Sequence, residues 1–154
     1  MKTKELMDDA LDWAVARCEG RTLMRRQDYF RHKGKNETFI ASLPKDLIEV
    51  TPDRETFLAV STGYSRDRSL AEAIIEREGI AIFPARQDSG VVWCAVQCKG
   101  GFPAYPLRDL DGRMAWWFEE GEVITGTTPL EAAMRCYVAS RLGEEVELPA
   151  ELEE

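Results

Sequence analysis

Apolar residues recur at spacings of three and four in three stretches of the chain, and each stretch carries its own start or stop signal. Between about Lys4 and Cys18, the residues Leu6, Met7, Ala10, Leu11, Ala14 and Cys18 form one stripe. Gly20 then stands where a left-handed residue would close the helix. At 69–72, "SLAE" sets Ser69 and Glu72 three apart as a capping box; Leu70, Ala73, Ile74 and Arg77 follow, and Gly79 is the stop. The third helix has Thr128 as cap, Pro129 in the first turn where its missing N–H does no harm, and Glu131 to complete the box. Leu130, Ala133, Met134, Tyr137, Val138 and Leu142 make its apolar face, and Gly143 ends it.

Between the helices the period changes to that of strands. "TFLAVST" (56–62), "IAIFP" (80–84) and "VVWCAVQC" (91–98) are rich in β-branched and aromatic residues. "QDSG" between the last two predicts a hairpin turn, and "DLDGRMAWWF" predicts another with Asp111-Gly112 at its tip. The 91–98 run is apolar on both faces, which places it inside a sheet whose two faces are at least partly covered. The fold class is therefore α+β: a mostly antiparallel sheet of about five strands with three helices packed on it, sandwich-like, in one domain over 1–154. Residues 21–55 are the least regular, dense in charge and interrupted by Pro44 and Pro52. They read as an ordered insertion or a mobile arm, with "KDLIEV" as a short strand or turn.

Composition narrows the class without naming an activity. Apolar residues at 44% supply enough material for a core without disulfides or metal. No apolar run approaches the ~20 residues of a membrane helix, and the acids of "MKTKELMDDALDW" do not suit a signal peptide, so a cytoplasmic protein is expected. The net charge of −8 is unevenly spread. From Arg17 to Lys35 seven Lys or Arg face two acids, whereas from Arg113 onward three Arg face ten Glu. A negative protein binds nucleic-acid phosphates poorly unless one face gathers its positive charge.

Candidate chemistry is sparse. His32, the single histidine, sits in basic surroundings that suit neither a metal ligand nor a base. Cys94 and Cys98 share one face of a strand, without the turn and the two further ligands that zinc needs; with Cys18 and Cys136 they read as reduced, mostly buried thiols, so no metal and no cofactor is expected. "KGG" (99–101) precedes Phe102 and Pro103 rather than a helix, and "GTTP" (126–129) spends its donors on capping. In the basic stretch, Arg25, Arg26, Arg31 and Lys33 surround Tyr29 and Phe30, a pattern that can hold phosphates and stack bases, or simply a solvated segment anchored by its rings. The acidic tail, 144–154, reads as a terminal extension docked by Val146 and Leu148 and kept soluble by its glutamates, with imitation of DNA phosphates as the sharper alternative. Adjacent Trp116 and Trp117 must face opposite ways, so one of them needs a cover.

Three blocks in order, "ALDWAVARCEG" (10–20), "AIIEREGI" (73–80) and "TPLEAAMRCYVASRLGEEVELP" (128–149), resemble the phage NinX-like family, small proteins of tailed phages and prophages. The layout is also similar to phage proteins with an α-β-α sandwich domain, in which a Tyr-Ser-Thr-Asp-like stretch precedes the middle helix. Here that stretch is "STGYSRDRSLAE": Tyr64, Ser65 and Asp67 match, while Arg66 and Arg68 replace the Thr and Trp of the relatives. The resemblance implies a phage or prophage origin, the cytoplasm of a bacterial host, and a fold, but no reaction. The expected function is a non-enzymatic accessory protein that binds a host or phage protein; a homo-oligomer stays open, and no membrane is involved. The alternative is a small-ligand or nucleotide binder using Tyr64, Ser65, Arg66, Asp67 and Arg68, with Trp93 or Trp117 as a stacking wall. Binding of nucleic acid by the 25–35 stretch is a second alternative. A ligand binder should show a concave pocket near Tyr64 lined by Arg66 or Trp93; a protein binder should show an exposed aromatic patch and no deep pocket.

Overall fold

A computed structural model describes residues 1–98, 107–108, 114–115 and 123–153. In chain order a 3-10 turn (Thr3–Glu5) leads into α1 (Asp8–Cys18), β1 (Thr22–Arg25), α2 (Arg26–His32), α3 (Glu37–Ala41), β2 (Leu47–Val50), β3 (Phe57–Leu58) and α4 (Arg68–Glu78). Then come β4 (Ile80–Gln87), β5 (Gly90–Gln97), β6 (Leu107–Arg108), β7 (Met114–Ala115), β8 (Ile124–Gly126), α5 (Pro129–Leu142) and a last 3-10 turn (Ala150–Leu152).

The α+β class holds, but the single five-stranded sheet with three helices does not. The described residues form two three-stranded antiparallel sheets, β1-β2-β3 and β4-β5-β8, a separate β6-β7 ladder, and five α-helices. The cause lies in residues 21–55, which are built of β1, α2, α3 and β2 rather than irregular chain. Of "TFLAVST" only Phe57–Leu58 form a strand, and it pairs with β2 from that segment, Glu49 opposite Leu58 and Val50 opposite Phe57, instead of joining β4 and β5. Strand pairing is non-local, so periodicity identified the strands without assigning their neighbours.

In the larger sheet β5 is central, as its two apolar faces predicted, and the "QDSG" turn joins β4 to β5 with Gln87 opposite Gly90. β4 is an outer strand and carries Pro84, where a missing N–H is tolerated. The β6-β7 ladder pairs Leu107 with Ala115 and Arg108 with Met114; the predicted Asp111-Gly112 tip, the "KGG" turn, Trp116 and Trp117 lie outside the described residues.

α5 is the most deeply packed element, with every residue from Glu131 to Val138 buried. Thr128 Oγ1 accepts the Glu131 N–H at 3.1 Å, as expected of the cap. The Glu131 carboxylate does not complete the box: it accepts the Thr127 hydroxyl at 2.6 Å and lies 2.6 Å from Arg135 Nη2. Arg135, itself buried, also donates to the carbonyls of Leu6 (2.7 Å) and Thr125 (2.9 Å), tying α5 to the N-terminal turn and β8. β8 meets the first turn of α5 so closely that a Cβ on Gly126 would come 2.5 Å from the Ala132 nitrogen. Tyr137, Val138, Met134, Leu11, Val15 and Ile74 are the heart of the core, and Val146, Leu148 and Leu152 of the tail complete it. The docked-extension reading of the tail is thus correct in its apolar part. A second, smaller core beneath the β1-β2-β3 sheet joins Tyr29, Ile48 and Val50, with Met24 and Phe30 against it.

The helix boundaries refine the predicted ones. α1 begins at Asp8: Leu6 closes the turn before it, and Met7, in extended conformation, is the exposed N-cap. Gly20 has φ 74° and Gly79 φ 63°, the left-handed stops expected. α4 is capped by Asp67, whose carboxylate accepts the Ser69 N–H at 2.9 Å, so Ser69 is inside the helix rather than its cap.

Candidate functional site

The loop Gly63–Asp67 between β3 and α4 is fastened to α1. Asp12 projects from α1 one turn before Val15 and Ala16, so it points inward and is 1% exposed. Its Oδ1 accepts the Ser65 N–H at 2.7 Å and its Oδ2 accepts from Arg66 Nη2 at 3.0 Å. Burial pushes this carboxyl above its ordinary pKa, against the opposing pull of Ser65 and Arg66. The Ser65 hydroxyl is buried beside it without an aligned hydrogen-bond partner. Arg66 also reaches Asp9 at 3.2 Å, and these carboxylates, Asp12 first, raise its pKa further.

Arg21, just past α1, grips the other end of the loop. It donates to the Tyr64 hydroxyl, to Glu49 Oε2 at 2.8 Å and to the Ser61 carbonyl at 3.2 Å, and its guanidinium lies 5.3 Å from the Tyr64 ring centre. Tyr64 is buried, and burial raises its pKa despite Arg21. Asp67 accepts from Ser61 (3.1 Å) as well as from Ser69. Of the five loop residues singled out by sequence, Tyr64, Ser65, Arg66 and Asp67 therefore hold the protein together. Arg68 is exposed and makes no hydrogen bond or ion pair among the described residues. Trp93 stands apart on β5, half-buried against the main core and opposite Gly126 in register; Trp117 lies outside the described residues.

A groove of about 370 Å³ opens beside this loop, where the chain from Phe57 to Gly63 diverges from β2. Leu47 and Ile48 line it, Arg26, Asp46 and Arg66 contribute charge, and Phe57, Leu58 and Val60 supply an apolar wall. A smaller cavity of about 220 Å³ separates Trp13, β1 and Arg54 from Pro149, Glu151 and Leu152 of the tail.

The basic stretch is helix α2 rather than an open arm, and its cations are largely matched. Arg26 pairs with Asp46, Arg31 with Asp28 and Lys33 with Glu55, each at 3.0 Å. Tyr29 is buried and donates its hydroxyl to the Glu55 carbonyl. Arg25 lies at the end of β1, half-buried. Tyr29, Phe30, Phe39 and Phe57 form one edge-to-face cluster with centroids 5.3–6.4 Å apart. Its outer members stay in water: Phe39 is 42% exposed and Phe57 48%; Leu58 (45%) and Val60 (50%) are exposed further along the chain.

Sequence reading missed Asp12 and Arg21 altogether. An aspartate on a helix reads as solvated; the available signal was its position on the same side as Val15 and Ala16. Also missed was a network at the far side of α5. There Glu19 accepts from Tyr137 (2.6 Å) and Arg77 (2.5 Å), while Glu78 accepts from Arg77 (3.0 Å) and Arg141 (2.8 Å). Arg77 holds Glu19 below the usual carboxylate range, and Arg141 does so for Glu78. Among the described residues no three His, Cys, Asp or Glu side chains gather as a metal site, all four cysteines are free thiols, and no helix is long and apolar enough to cross a membrane.

These features define a small α+β protein whose buried polar groups join its own elements, with an apolar patch and a groove left on one lobe. The family model described as "Bacteriophage P22, NinX" matches residues 2–102, and the chain belongs to that family. The match runs through residues 21–55 and stops before the 128–149 block. No curated protein matches the chain.

Proposed function

We propose that this phage protein is an accessory factor without catalytic activity that acts in the cytoplasm of the host by binding a host or phage protein. The observation that supports this is the pair of exposed rings at the rim of the aromatic cluster, Phe39 (42%) and Phe57 (48%), with Phe57 also lining the groove together with exposed Leu58 and Val60. Aromatic and aliphatic side chains left in water on one lobe are the material of protein contacts, because covering them releases water and aromatic anchors dominate interface energies. Phe39 and the Arg26–Asp46 pair give that surface both an anchor and polar specificity.

The test is capture of the tagged protein from host lysate, with native mass spectrometry of the purified material. One stoichiometric protein retained by the parent and by Val91→Glu, but lost with Phe39→Glu, supports the reading. A partner that ignores Phe39→Glu, or none, refutes it. The groove favours a second reading, a small anionic ligand held by Arg26 and Arg66; a co-purifying small mass and a raised melting temperature with that compound would select it. Nucleic acid is less well supported, since the acids paired with Arg26, Arg31 and Lys33 offset the charge that a phosphate backbone would need.

A further inference from the structure

The cavity of about 220 Å³ between Trp13 and the tail carries both signs of charge on its lining. Arg25, the last residue of β1, and Arg54, in the turn before β3, line it from the body of the protein; Glu151, in the last 3-10 turn, lines it from the tail. None of these three side chains makes a hydrogen bond or ion pair among the described residues. Arg25 is half-buried, with its Nε out of reach of water and unpartnered, so its remaining donors gain more from an anion than fully solvated ones do. Asp28, the fourth charged residue of the lining, is already joined to Arg31 at 3.0 Å. Opposite charges thus share one small cavity without reaching each other.

Arg54 is kept there by its turn. Its φ of 59° is a left-handed conformation that few residues with a side chain adopt. The Arg54 N–H donates to the Thr51 carbonyl at 2.7 Å, and Asp53 Oδ1 accepts from the Thr51 hydroxyl (2.5 Å) and the Glu55 N–H (3.0 Å). Apolar residues supply most of the remaining surface: Leu23, Leu47 and Leu152 are buried, with Trp13 and Pro149 half-buried. A cavity of about 150 Å³ admits a benzene ring. At about 220 Å³ this one takes a ring, or a branched aliphatic chain, together with a small polar head.

We infer that this cavity binds a small α-amino acid with an apolar side chain. This goes beyond the proposed partner binding, which rests on Phe39 and the groove; Leu47 alone lines both the groove and this cavity. The ligand carboxylate joins Arg25 and Arg54, its ammonium joins Glu151, and its side chain lies among Leu23, Leu47 and Leu152 against Trp13. Charge selects this class of ligand. With Asp28 committed to Arg31, the lining offers two cations and one acid, a place for one negative and one positive group. A plain carboxylic acid leaves Glu151 unmatched, and a plain amine leaves both arginines so. Charge-assisted hydrogen bonds of this kind are the strong ones, and here they form beside apolar walls that exclude water.

Titration calorimetry of the purified full chain with L-leucine, L-methionine and L-phenylalanine tests this. At least one should bind with Kd below about 1 mM. The analogues of that amino acid that lack the ammonium or the carboxylate (phenylpropanoate and phenylethylamine for L-phenylalanine) should each bind at least about tenfold more weakly. Arg25→Gln and Glu151→Gln should each lower the affinity for the amino acid about tenfold. E151Q should hold the deaminated analogue as well as the parent does, and R25Q the decarboxylated one. Arg66→Gln, in the groove, should change none of these values. Circular dichroism checks the fold, and exposed Glu151 supplies a reading that does not depend on whether Arg25→Gln disturbs β1. No binding by any of the three amino acids, analogues that bind as tightly as the amino acid, an affinity that survives Glu151→Gln, or one that falls with Arg66→Gln would overturn the proposal.

Discussion

Replacing Asp12 by asparagine and by alanine should give two very different costs, and the difference measures what that buried group contributes. Its raised pKa means that the folded protein accommodates the neutral carboxyl better than the carboxylate. A neutral side chain of the same shape should therefore be tolerated. Asp12→Asn keeps an acceptor for the Ser65 N–H and gives up Arg66, whose side chain is 60% exposed and retains Asp9 at 3.2 Å. The expected loss is about 1 kcal/mol. Asp12→Ala removes the one acceptor that the buried Ser65 N–H has among the described residues and opens a small void, for a loss of about 3 kcal/mol. Urea denaturation at pH 7 gives both values, and exchange of the Ser65 amide should rise sharply in the alanine variant alone. The pH dependence has a definite sign. Asp12 holds its proton to a higher pH when folded than the ordinary 3.8, so this group's contribution is greatest below 3.8 and declines as pH rises through the folded pKa. Asp12→Asn should remove that decline, read as the difference between variant and parent. If asparagine costs as much as alanine, the charge itself holds the loop and the burial argument fails.

Gly126→Ala should cost about 3 kcal/mol in the same urea assay, since the new Cβ meets the Ala132 backbone of α5 rather than a side chain that can swing aside; a loss under about 1 kcal/mol would show that β8 can move away. Alkaline stability should depend on buried thiols: burial pushes Cys18 and Cys136 from 9.0 up to about 11. Unfolded thiols ionise first, so stability should fall as pH rises between 9 and 11. Cys136, 4% exposed, contributes at most roughly 3 kcal/mol and half-buried Cys18 less. Cys136→Ala should flatten the pH profile of urea melts, and an unchanged slope would exclude the thiol as its source.

Local signals in the sequence were legible and long-range ones were not. Thr128, Pro129 and Gly143 marked α5 because caps and stops act within one turn. β5 declared its central place because both faces are apolar. By contrast, α2 went unseen, since adjacent Tyr29 and Phe30 among arginines resemble a strand or loop as much as a helix. Asp67 took the capping role assigned to Ser69 two residues on, a choice between neighbouring hydrogen-bonding side chains that periodicity does not make. The loop at 64–67 was singled out as a candidate binding stretch; in the fold its residues bond to Asp12, Arg21 and Ser61. Asp12 and Arg21 stand far away in sequence, and only the fold brings them to it.

Pro84 acts as a stop on the larger sheet. The Cys98 N–H donates to the Gly79 carbonyl at 2.9 Å, so alternate residues of β4 bond to β5 and Pro84 turns its nitrogen outward. A strand arriving at that edge would meet an acceptor there but no donor, and its ladder would break at that rung. β5 is thereby kept as the middle strand, flanked by β4 and β8.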